Sequence, residues 1–204
     1  MTITLTTARA DLLSLLGNDT SLYPAATLDE ALRQALVDLS LDGPRKTVIL
    51  TVPSPSTTLS LAALPDLLSL TTVAYPYIEG LDWRTAKHAF WAMIDPTTLQ
   101  LQDGQWFAAG EKALLIYQRT HTLDGLDGAT AATVPDNWKP TLLTAAAAHA
   151  TAIRLRQLAE SPRAHETDAF QTLKHLHAHY TTHYTRRIAA ITQRMNPSWE
   201  TIGL

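Results

Sequence analysis

The stretch Thr120–Thr130, THTLDGLDGAT, decides how this chain is read. Two Asp-Gly pairs, Asp124-Gly125 and Asp127-Gly128, stand three residues apart, after a strand-like run and before an alanine-rich one. As a metal or phosphate loop it would make the chain an enzyme. As a corner it marks where a β-rich insertion returns to a helical bundle. A calcium loop needs about six or more oxygens, from acidic or amide groups at alternating positions plus a Glu, and here nothing acidic follows Asp127 until Asp136. A phosphate loop needs Gly-x-x-x-x-Gly-Lys-Ser/Thr; the spacing differs and the Lys is missing. A corner needs only what is present. Gly125 and Gly128 permit positive φ, and Asp124 and Asp127 can accept hydrogen bonds from nearby amides.

Reading outward, the hydrophobic period is helical on both sides and strand-like in between. A first helix is expected over about Ala8 to Leu16, capped by Thr6 or Thr7 and followed by Gly17. In TLDEALRQALVDLS, Thr27 and Glu30 have capping-box spacing, and Leu28, Ala31, Leu32, Ala35, Leu36 and Leu39 form one apolar stripe. Asp42-Gly43-Pro44 ends that helix. Strands are expected at Thr47 to Val52, Thr58 to Leu61, Leu70 to Tyr75, His88 to Ile94, Leu99 to Leu101 and Ala113 to Tyr117, with turns at Asp95-Pro96 and Asp103-Gly104. Beyond the corner, Trp138 to about Ala159 reads as a long helix with little side-chain bulk. Ser161-Pro162 restarts the chain, and a last helix runs from about Arg163 to Arg194. In it Phe170, Leu173, His177, Tyr180, Tyr184, Ile188, Ile191 and Met195 recur at three- and four-residue steps, a packing seam. The expected fold is α+β and mainly α. Residues 1–45 and 121–195 form a helical bundle, 46–120 an inserted antiparallel β-rich lobe, and 196–204 a tail.

Composition narrows the function classes. With 204 residues, 46% of them hydrophobic, the chain can build a real core. A net charge of -3 gives no concentrated basic surface for nucleic acid. The absence of cysteine excludes disulfides, thiolate catalysis and cysteine-ligated zinc. No basic segment followed by an apolar core opens the chain, and no run approaches the ~18 apolar residues of a membrane span.

His175, His179 and His183 lie four residues apart and share one helical face. Two histidines at that spacing could bind zinc as in His-Glu-x-x-His enzymes, but the Glu that serves as general base is missing. A polar or interface face is the stronger reading, with His177 in or beside the seam. No Gly-x-Ser-x-Gly nucleophile motif occurs. Of the five Trp residues, Trp91 reads as core. Trp199, beyond the helix stop at Asn196-Pro197, is the best candidate anchor on another chain.

Three segments resemble head-to-tail connector proteins (adaptors, or head-completion proteins) of tailed bacteriophages: LLSLLGNDTSLYPAATLDEALRQALVDLS, LLIYQRTHTLDGLDGATAATVP, and LLTAAAAHATAIRL followed by one more long helix. The resemblance implies a non-enzymatic virion protein of the neck, assembled in the bacterial cytoplasm. Such proteins form a ring, usually dodecameric, between the portal and the stopper or tail, with DNA passing through the channel. No catalytic, cofactor or metal residues come with this resemblance, and no cofactor is expected. Partner contacts are expected at Trp199, Ile202, Leu204, Arg186 and Arg187. A stopper or tail terminator is the neighbouring alternative, disfavoured by the long terminal helices, and a His-ligated metal enzyme is the more distant one.

Overall fold

The computed structural model describes residues 3–80, 82, 84, 86–160 and 168–195, the last two by backbone alone. The protein is α+β and mainly α. The chain divides into two units, Met1–Pro44 with His121–Leu204, and Arg45–Thr120.

In the first unit, α1 (Leu5–Leu15) starts earlier than the sequence suggested. Its cap is Thr4 rather than Thr6 or Thr7. The Thr4 hydroxyl accepts from the Thr7 amide while the Thr7 hydroxyl reaches back to the Thr4 amide, a capping box with Thr in place of Glu. Helix α2 (Ala25–Asp42) also starts early, after Pro24 and with no side-chain cap, so the expected Thr27–Glu30 box does not form. Glu30 accepts from Gln34 and Arg33 instead. All six residues of its apolar stripe are buried, each Leu contributing about 1.5–3 kcal/mol by leaving water.

After a 3-10 turn at Asp136–Trp138 comes α3 (Lys139–Ala159), in which Ala145, Ala146, Ala147 and Ala150 are buried. Two of its buried threonines, Thr144 and Thr151, each donate to the carbonyl four residues back. Helix α4 (Asp168–Met195) lies along α3. Its seam runs as expected from Phe170 to Ile191, half-buried at most steps and buried at Tyr184 and Ile188. The Met195 side chain, the restart at Ser161-Pro162, the expected helical turn at 163–167 and the segment 196–204 lie outside the described residues.

The corner is a scaffold within this unit. Leu123 and Leu126 are buried in the helical core. The Leu5 amide donates to the Asp124 carbonyl at 2.8 Å, pairing Thr4 with Asp124 as a short parallel bridge. Gly125 and Gly128 have φ of +84° and +80°, angles that glycine adopts without strain. Asp127 itself takes φ of +51°. Its carboxylate accepts from Arg33 of α2 at 2.8 Å rather than from neighbouring amides, which corrects the hydrogen bonding expected there.

The second unit holds two three-stranded antiparallel sheets. The first has the order β1 (Lys46–Thr51), β6 (Lys112–Arg119), β3 (Leu67–Ala74). The second has the order β2 (Thr58–Ser60), β5 (Thr98–Leu101), β4 (Trp91–Asp95). Central β6 is buried on both faces, as its unbroken apolar run ALLIY requires. Ala113, Leu115 and Tyr117 point into a core shared with Leu59, Leu99, Leu101 and Phe107, while Leu114 and Ile116 pack against Ala74 and Tyr77 on the other side. The expected strand from His88 begins only at Trp91; His88 makes a single bridge to Ala74.

Candidate functional site

The long α4 separates two chemistries along its length. Its inner edge carries a series of polar links to the other helices. His177 Nδ1 meets the Ala148 carbonyl at 3.0 Å, and since a carbonyl only accepts, that nitrogen carries a proton. One step on, the Tyr180 hydroxyl donates to the Leu15 carbonyl at 3.0 Å. Another step on, the Tyr184 hydroxyl donates to Asp42 Oδ2 at 3.0 Å. Beside them, His149 of α3 meets Asp38 of α2 at 2.6 Å. Burial pushes the Tyr184 hydroxyl far above the usual tyrosine range, reinforced by the charge and hydrogen bond of Asp42 and by the charge of Asp38. Burial also raises Tyr180. These links bind α1, α2, α3 and α4 together.

The outer face is exposed and free of carboxylates: from Ala169 to Met195 the helix has no Asp or Glu. Lys174, His175, His179, His183, Arg186 and Arg187 all lie exposed along it. The His179 and His183 rings are in contact, with centroids 4.3 Å apart and planes tilted by 48°. His179 also meets the Tyr180 ring edge-on at 5.5 Å. Among the described residues no three His, Asp or Glu side chains converge as a metal ligand set. Of the expected partner residues, Arg186 and Arg187 flank the seam as exposed cations. Trp199, Ile202 and Leu204 lie outside the described residues.

The β unit presents a different surface. Phe90 is 67% exposed, Ile94 57% and Trp106 63%. Trp91 and Met93 of the edge strand β4 pack against the core, while Phe90 just before it and Ile94, at the register shift between Met93 and Asp95, are exposed. An open groove of about 490 Å³ lies between β3 and β4, lined by Leu67, Leu68, Ser69, Leu70, Met93, Asp95 and Pro96. Sequence reading expected His88 to Ile94 as a strand with Trp91 in the core; Trp91 packs against the core half-buried, while the exposure of Phe90 and Ile94 was not anticipated. The available signal was that FWAMI is apolar at every position, which a half-buried strand has no need of.

Among the described residues, no helix is long and apolar enough to cross a membrane. No protein-family model matches the chain, and no curated protein matches it significantly.

Proposed function

We propose that the chain is a structural protein of a phage neck, a head-to-tail adaptor that forms a ring between the portal and the stopper or tail and leaves a channel for DNA. The observation that carries this reading is how the segments behind the resemblance come together. The helix pair α1–α2, residues 121–135 of the second segment and the alanine-rich α3 with α4 share one hydrophobic core, while the second segment's first residues, 114–120, belong to the inserted unit of 76 residues, Arg45–Thr120. Exposed apolar groups on β4 and at Trp106 supply surface of the kind that contacts between subunits use. The carboxylate-free outer face of α4 supplies a second surface, polar and cationic.

The segment 196–204, with Trp199, Ile202 and Leu204, is assigned to portal attachment. Its removal is expected to abolish binding to a portal ring while leaving helicity and thermal unfolding unchanged. Full portal binding by the shortened chain would refute that assignment.

A further inference from the structure

We propose that His179 and His183 form a two-nitrogen chelate for a divalent transition ion of the Cu²⁺ or Ni²⁺ type. The inference stands independently of the adaptor reading. The two residues are one helical turn apart in the middle of α4, on a continuous helix that fixes their backbones. Both are exposed, and His179 borders the seam, its ring meeting that of Tyr180 edge-on. Their rings already touch at 4.3 Å between centroids. A metal–nitrogen bond of about 2.0–2.1 Å places an ion roughly 3.2 Å from each ring centre. Two imidazole nitrogens one helical turn apart can take adjacent positions of a tetragonal site.

Imidazole nitrogen suits these ions, and affinity for a given nitrogen site rises to Cu²⁺ and falls again at Zn²⁺. Water completes the coordination, since no third His, Asp or Glu converges there among the described residues. His175, a turn before His179, makes no ring contact with it. The charged groups nearest along the helix are Lys174, Arg186 and Arg187. Their charge opposes the cation and limits the affinity. Bound metal requires unprotonated imidazoles, so acid releases it.

The test is calorimetric titration of the untagged full chain with NiCl₂ and with CuCl₂, alongside the His179→Ala, His183→Ala and His175→Ala variants. All three positions are exposed, and circular dichroism checks that each variant keeps its helicity. One ion per chain is expected, with Cu²⁺ bound tighter than Ni²⁺. Loss of either chelating histidine should weaken binding by at least the about 10- to 100-fold that losing an outer-shell partner costs, and His175→Ala should bind as the parent does. Metal binding that survives in the double His179→Ala/His183→Ala variant overturns the proposal. So does an equal loss in His175→Ala.

Discussion

The Tyr184 hydroxyl donates to Asp42 Oδ2 at 3.0 Å and so joins the middle of α4 to the last residue of α2, 142 positions earlier in the chain. The Tyr184 ring is only 9% exposed and packs in the helical core. Its ring and its hydroxyl therefore do different work, and substitution can separate them.

Tyr184→Phe keeps the ring and removes one hydrogen bond, so it should lower unfolding stability by roughly 0.5–1.5 kcal/mol. Tyr184→Ala should lower it by about 3–5 kcal/mol, the range for a large aromatic lost from a core. Urea unfolding at neutral pH measures both. An equal effect of the two substitutions would mean that the ring is not buried as described.

Alkaline pH reads the same contact. The folded state holds the Tyr184 proton more tightly than the unfolded state does. Its contribution is therefore complete below the unfolded value of about 10 and is lost as pH rises beyond it. Stability of the parent should fall above about pH 10, and Tyr184→Phe should flatten that fall. Some slope should remain, because burial raises Tyr23 and Tyr180 as well.

The alanines of α3 leave no room for larger groups. Ala146 and Ala147 are fully buried, so Ala146→Leu should destabilise by about 1–3 kcal/mol through overpacking. The same substitution at exposed Ala178 of α4 should stay within about 0.5 kcal/mol of the parent. Thermal unfolding of the two variants provides the comparison.

At the corner, conformation should outweigh charge. Asp127 combines a left-handed backbone with an ion pair to Arg33 whose side chains are 42% and 58% exposed. An exposed pair is worth about 0.2–1 kcal/mol. Asp127→Asn loses the charge but tolerates positive φ, so it should lose no more than that. Asp127→Val forces a β-branched residue into the same backbone and should lose more. If the two variants were equally stable, the corner would not hold its described geometry.

Acid should act on the β unit through Asp66. This carboxylate accepts from Lys46 at 2.9 Å and from the Tyr117 hydroxyl at 3.0 Å. Partial burial raises its proton affinity, but these two partners outweigh that and hold it below its ordinary value. Its contribution is complete above the unfolded value of about 3.9 and fades as pH drops through the lower folded value. Asp66→Asn should be less stable than the parent at pH 7, and the gap should close below about pH 4. Urea midpoints across that range test this.

Much of the helical unit was legible in the sequence because its signals are local. The stripe from Leu28 to Leu39 and the seam from Phe170 to Ile191 repeat at the helical period, and both turn inward in the structure. The starts of α1 and α2 were read too late. Thr4 caps through another Thr, and Pro24 needs no side-chain cap at all. The pairing of β1 with β6 spans more than sixty residues and leaves no trace in local period. The same holds for Arg33 with Asp127 and for Asp38 with His149, where each partner alone reads as an ordinary surface group. The exposure of Phe90 and Ile94 was hidden because FWAMI is apolar at every position.

The most direct test of the adaptor account is the mass of the full chain in solution, alone and mixed with a portal ring. The account predicts a discrete complex carrying many copies of the chain on one portal. A chain that stays monomeric and leaves the portal unchanged in mass would contradict it.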